Sequence, residues 1–268
     1  MKDLSNENII HVKNDNIEYI QFRKLLNYKN ITHCFTLKPL DFAGFDNYQE
    51  RKSMVDDSYK RICNELKINY NELCRPKQTH TDSVAAIHEG DEGIYNPKFN
   101  DIDGVVTNLP NKALILCFAD CTPLIFYDPV KNVIANTHSG WKGTYKEICI
   151  RTVEKLTKEF ECKPEDIICC IGPHIRKCHF EVENDVKDMF YNKFRNLKNI
   201  EKYIYKKENK YHIDTLGINI ENLLSAGLKE SNIIDSKICT VCDSDICHSF
   251  RAEKEKSGRS IALIKLNS

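Results

Sequence analysis

The stretch from Ala113 to Gly143, ALILCFADCTPLIFYDPVKNVIANTHSGWKG, constrains this chain more than any other. Two apolar β-type runs, residues 113–118 and 124–127, flank a polar elbow, Ala119-Asp120-Cys121-Thr122-Pro123. A third run, residues 132–136, leads directly into Thr137-His138-Ser139-Gly140-Trp141-Lys142-Gly143. Strands that stop abruptly in Asp, Cys, His and Gly offer a rigid scaffold with loop ends free to carry chemistry.

Around this centre the pattern predicts strands over residues 16–26, 30–37, 83–88, 166–171, 178–182, 232–241 and 260–266. Helices are expected over residues 46–68, 143–160, 183–194 and 214–226. In the first helix Val55, Tyr59, Ile62, Cys63 and Leu66 fall at helical spacing. Tyr145, Cys149, Val153, Leu156 and Phe160 do so in the second. Asp214 reads as an N-cap and Gly227 as a terminator. Residues 195–210 form a charged connection without a readable signal. No repeat, low-complexity linker or break in composition divides the chain. One domain over residues 1–268 is expected, of α+β class, with mixed β-sheets and flanking helices.

Lys plus Arg and Asp plus Glu number 39 each, and no block of like charge marks a nucleic-acid arm. No apolar run has the length of a membrane span, and the polar start, MKDLSNENIIHVKNDN, has no signal-peptide core. A cytoplasmic protein binding neither nucleic acid nor membrane is expected. Its 13 cysteines then read as thiols or metal ligands, not as a disulfide framework.

Two groups of residues carry the candidate chemistry. His80, Cys121 and His138 each fall at an expected strand end. One thiolate and two imidazoles give zinc three ligands and leave a fourth position open, as catalytic zinc requires. The same residues also suit a Cys–His nucleophile, with Cys121 as thiolate, His138 as base and the Asp120 region orienting it. Buried thiol and hydrogen-bonded histidines are the plain structural alternative. The second group is Cys239, Cys242, Cys247 and His248, a C-x2-C-x4-C-H pattern resembling a small zinc knuckle. Beyond it, Arg251 and Arg259 flank a turn and suit bidentate anion binding. Lys142, at the expected start of the helix over residues 143–160, suits an anion as well.

Several segments together resemble one family. They are Lys77-Gln78-Thr79-His80, Ala119-Asp120-Cys121-Thr122-Pro123, His138-Ser139-Gly140-Trp141-Lys142-Gly143, and Ile171-Gly172-Pro173 with Cys178-His179-Phe180-Glu181-Val182. Ser249-Phe250-Arg251 with Ser257-Gly258-Arg259 closes the set. The chain is similar, over roughly residues 31–266, to the YfiH/YlmD-type laccase-domain proteins. These were once called multicopper polyphenol oxidases and are now described as zinc purine nucleoside phosphorylases with adenosine deaminase activity.

The resemblance implies a YfiH-like fold and zinc on His80, Cys121 and His138. It implies purine nucleosides, methylthioadenosine among them, and inorganic phosphate as substrates, in a monomer or weak homo-oligomer. Cys121, His138, Asp120 and Glu181 are then the catalytic candidates. Lys142, Arg251, Arg259 and Asp103 are the substrate-binding candidates. Ser139 stands where Ala is usual, Thr81 where Gly is common, and His179-Phe180 where Cys-Tyr is common. Ala252 replaces a usual basic residue. Two other activities remain as alternatives: a copper-dependent phenol oxidase, since a thiolate with two imidazoles also holds copper, and a Cys–His amidohydrolase.

Overall fold

The computed structural model describes residues 2–43, 48–94 and 96–267. Its centre is two sheets packed face to face, with a helical layer outside each. The larger sheet has seven strands, and Ser260–Leu266 lies in its middle, between Ile31–Thr36 and Ala113–Phe118. The second has six, with Thr122–Asp128 and Val133–Ser139 as its antiparallel centre.

Residue alternation explains why these strands read as unbroken apolar runs. Leu114, Leu116 and Phe118 face the second sheet, while Ala113 and Ile115 meet Val55, Tyr59, Ile62 and Cys63 of the helix Tyr48–Leu66. In the second sheet Ile125 and Tyr127 face inward. Leu124 and Phe126 meet Cys149, Val153 and Leu156 of the helix Ile148–Phe160, and Leu216 and Leu223 of the helix Thr215–Ser225. Both faces of each strand are thus covered, so period-2 polarity is lost. Truncating such a residue, Phe126→Ala for example, costs about 3–5 kcal/mol.

Asn136 is a buried exception between the sheets. Its amide donates to the carbonyls of Leu114 (3.1 Å) and Ala262 (2.8 Å), tying the second sheet to two strands of the first. A third, three-stranded sheet packs with the helix Asn184–Phe194 into a satellite core around Phe180, Phe190, Phe194 and Ile213.

Several expected elements differ. The first helix begins at Tyr48, and its expected start at Asp46 lies outside the described residues. The run at 16–26 divides into the strand Ile17–Phe22 and a short helix, and the strand Ile9–Asn14 precedes it. The expected helix over 143–160 is two helices, Trp141–Tyr145 and Ile148–Phe160, broken at Glu147, whose φ is 62°. Only Ile233–Asp235 of the run 232–241 is strand. Beyond it the chain turns away to pair with the segment after the strand Ile168–Ile171. The silent stretch 195–210 contains the strand Ile204–Lys207. Asp214 caps its helix by accepting from the Gly217 amide at 3.0 Å.

Candidate metal centre and its cavity

The polar elbow is where the chain leaves the seven-stranded sheet and enters the six-stranded one. Asp120 makes that turn with φ 83°, the left-handed region that short polar side chains tolerate best. Its carboxylate accepts from Thr240 Oγ1 (2.5 Å), Ser249 Oγ (2.7 Å) and the Arg251 amide (2.6 Å). Its carbonyl accepts from the Ile175 amide at 2.9 Å. With both oxygens engaged, Asp120 fixes the elbow and the start of the short helix Phe250–Glu253.

Strand register then places Cys121 beside His138. Ser139 pairs with Thr122 and His138 with Pro123, so Gly140 lies across from Cys121. Thr137 points outward to Thr152 Oγ1 (2.9 Å), and alternation turns His138 inward against Phe118, with ring centroids 5.4 Å apart. His80 comes from a loop, not the expected strand end, and its φ is 65°. Its Nε2 lies 3.7 Å from the Cys121 sulfur, and its ring meets that of His138 edge-on at 4.9 Å. One ligand atom from each of His80, Cys121 and His138 lies within 4.8 Å of the others. A Cβ at Gly140 would stand 2.8 Å from His80 Cδ2 and 3.0 Å from the Cys121 sulfur, so glycine there makes room for the group.

Asp103 organises two of the three. It is fully buried, and its carboxylate accepts from the amides of Thr79 (3.2 Å), His80 (3.1 Å) and Thr81 (2.7 Å), which hold the His80 loop. Its Oδ1 is 2.7 Å from His138 Nδ1. Burial works against its charge, yet the hydrogen bond and charge of His138 win, and the pKa falls to about 2. A carboxylate only accepts, so His138 carries its proton on Nδ1 and turns Nε2 toward Cys121.

Burial likewise opposes ionisation of Cys121, but His138 and then His80 outweigh it and lower the thiol to about 6. Burial opposes charge on His138, and the Cys121 thiolate and Asp103 together raise its pKa. Both shifts favour a thiolate on Cys121 and a proton on its His138 partner. A preformed thiolate, two imidazoles and a carboxylate behind one imidazole form a donor set that fits zinc.

The trio opens into a cavity of about 680 Å³. Arg51, Arg75, Arg251 and Arg259 line it, as do Trp141, Phe180 and Phe250. Arg251 is oriented by the carbonyls of His179 (2.8 Å) and Glu181 (3.1 Å), and Arg259 by those of Ser257 and Gly258. Burial raises the Cys117 thiol pKa, against the charges of Arg75 and Arg259.

The sequence pattern did not single out Arg51, Arg75 or the cavity carboxylate Glu255. Arg75 directly precedes Pro76-Lys77-Gln78. The Gln78 side-chain amide continues the strand pairing, accepting from the Cys117 amide (2.7 Å) and donating to its carbonyl (2.9 Å), a contact no local pattern announces.

Other candidates sit elsewhere. Lys142 lies within the first turn of Trp141–Tyr145, exposed, with Nζ 5.6 Å from the Trp141 ring centroid, and does not line the cavity. The Glu181 side chain is exposed and also outside the lining. The expected group Cys239, Cys242, Cys247 and His248 does not form. Cys247 is buried among apolar residues, and His248 Nε2 is 2.8 Å from the Leu40 carbonyl. The residues that join Cys239 and Cys242 are Cys178 and His179.

Residues 41–267 match the family model described as multi-copper polyphenol oxidoreductase laccase. The purine nucleoside phosphorylase YlmD of Bacillus subtilis is 34% identical over 193 residues, covering 70% of this chain and 68% of its own. A purine nucleoside phosphorylase of Bacteroides thetaiotaomicron is 27% identical over 266 residues, covering 92% and 95%. The crystal structure of the hypothetical protein YfiH from Bacillus licheniformis superposes with a TM-score of 0.85 at 28% identity, over 96% of this chain and 99% of that one. That of YlmD from Geobacillus stearothermophilus gives 0.87 at 22% identity, over 97% and 100%. The chain belongs to this laccase-like YfiH/YlmD family.

Proposed function

We propose that this family member is a zinc-dependent purine nucleoside phosphorylase that also deaminates adenosine and accepts methylthioadenosine. The observation that carries the reading is the opening of His80, Cys121 and His138 into a cavity that also presents guanidiniums and aromatic rings. The names borne by the relatives agree with it.

Zinc held by His80, Cys121 and His138 would supply a Lewis acid with one position left for substrate or water. Planar guanidiniums match phosphate oxygens in bidentate fashion, and Arg251 and Arg259 are held ready by backbone carbonyls. Trp141, Phe180 and Phe250 line the cavity and offer apolar aromatic surface to a purine. In phosphorolysis a phosphate oxygen bonds to ribose C1′, the C–N glycosidic bond breaks, and the purine takes the electron pair and a proton. Asp103 keeps the proton on His138 Nδ1, and Asp120 sets Cys121 and Arg251 at fixed positions.

The test pairs wild type with Cys121→Ser, assayed on adenosine and inosine with and without phosphate. Phosphate-dependent release of base and phosphate-independent deamination, both lost in the variant and on chelation, are expected. Activity that survives chelation but not thiol alkylation overturns the zinc reading in favour of a Cys–His hydrolase. The donor set also admits copper, so phenol oxidation by copper-loaded protein is expected as a side activity.

A further inference from the structure

Cys178, His179, Cys239 and Cys242, none of which lines the cavity, each place one ligand atom within 4.8 Å of the others. The sulfur of Cys178 lies 3.5 Å from that of Cys239 and 3.8 Å from that of Cys242. His179 Nδ1 lies 3.2, 3.7 and 3.5 Å from the sulfurs of Cys178, Cys239 and Cys242. Zinc–sulfur and zinc–nitrogen bonds of about 2.3 and 2.0–2.1 Å at tetrahedral angles require S···S edges near 3.8 Å and S···N edges near 3.6 Å. The five distances scatter about those values.

We propose that these four residues form a second, closed zinc site of Cys3His type whose role is structural. All four positions of a tetrahedron come from protein, which leaves none for substrate.

The site fastens two segments that the fold already brings together. The Thr240 amide donates to the His174 carbonyl at 3.0 Å, and His174 bridges Cys239. Both segments bear on the cavity. The carbonyl of His179 holds Arg251, and Thr240, next to Cys239, holds Asp120. Zinc here therefore positions the wall that carries Arg251 without touching substrate.

This inference does not depend on the proposed activity, and neither does its test. Zinc is measured by mass spectrometry on untagged wild type, Cys242→Ser, His179→Ala, His179→Cys and Cys121→Ser, each checked for native circular dichroism. Cys242→Ser and His179→Ala are each expected to hold about one zinc fewer per chain than wild type, while His179→Cys, which restores four ligands, matches wild type. Cobalt-loaded Cys121→Ser is expected to keep intense thiolate-to-cobalt absorption, lost on adding Cys242→Ser. Equal zinc in wild type, Cys242→Ser and His179→Ala overturns the proposal. So does recovery of a Cys178–Cys239 or Cys178–Cys242 disulfide from freshly isolated, zinc-free wild type.

Discussion

The two Cys/His clusters use the same side-chain chemistry under different constraints. His80, Cys121 and His138 bring one sulfur and two imidazoles to the inner end of a cavity, with Asp103 behind His138. Cys178, His179, Cys239 and Cys242 bring three sulfurs and one imidazole. The first set is incomplete as a tetrahedron and faces 680 Å³ of space, while the second is complete. Ligand count and access, not ligand type, separate a site that can do chemistry from one that holds chain segments together.

Breaking each cluster in turn gives the largest contrast. Cys121→Ser is expected to lower nucleoside turnover by more than the roughly 100-fold that losing a supporting residue costs, while Cys242→Ser acts mainly on thermal stability. Comparable turnover losses in the two variants would erase the distinction between them.

Asp103→Asn tests the support behind the open site. It keeps shape but removes the charge that fixes His138, and zinc affinity at the trio is expected to fall about 10–100-fold. Competition with a chelator of known strength measures this. Unchanged affinity would mean that Asp103 serves only the His80 loop.

A pH series sharpens the comparison further. In metal-free protein Cys121 ionises near 6, below its ordinary value of 9.0. Its folded value lies below the unfolded one, so its contribution to stability is in full force above pH 9.0 and fades as pH falls through about 6. Alkylation of Cys121, followed by peptide mass spectrometry, is expected to run at a plateau above that midpoint and drop below it. A midpoint near 9 would refute the thiolate favoured at Cys121.

The smallest effect concerns the cations. Lys142→Ala removes a charge outside the cavity lining and is expected to change phosphate KM within about twofold, the scale of a surface substitution. Arg259→Ala removes a held guanidinium and is expected to raise phosphate KM by tenfold or more, the equivalent of a charged hydrogen bond at about 1.5–3 kcal/mol. The reverse order would return the anion site to Lys142.

Local pattern exposed much of this molecule. The strand Ser260–Leu266, the apolar stripe at Val55, Tyr59, Ile62 and Cys63, and the Asp214 cap were legible because each depends on neighbours within a turn or a pleat. Cys121 and His138 were legible because their flanking runs stop abruptly, whereas His80, read at a strand end, comes from a loop. Asp103 read as a substrate-binding candidate, and its hold on His80 and His138 emerges only when distant segments meet. Asp120 read as a catalytic candidate, and the three donors its carboxylate accepts from, all beyond residue 239, likewise meet it only in the folded chain.

By itself, then, the sequence determined where apolar runs end in reactive groups, and that Cys239 and Cys242 stand three positions apart, because those are properties of adjacent positions. Only the tertiary structure decided that Cys178, 61 positions from Cys239, is its partner, and that Cys247 is not. A bridge between His174 and Cys239 sets that pairing, and such a long-range contact leaves no periodicity in the chain that makes it.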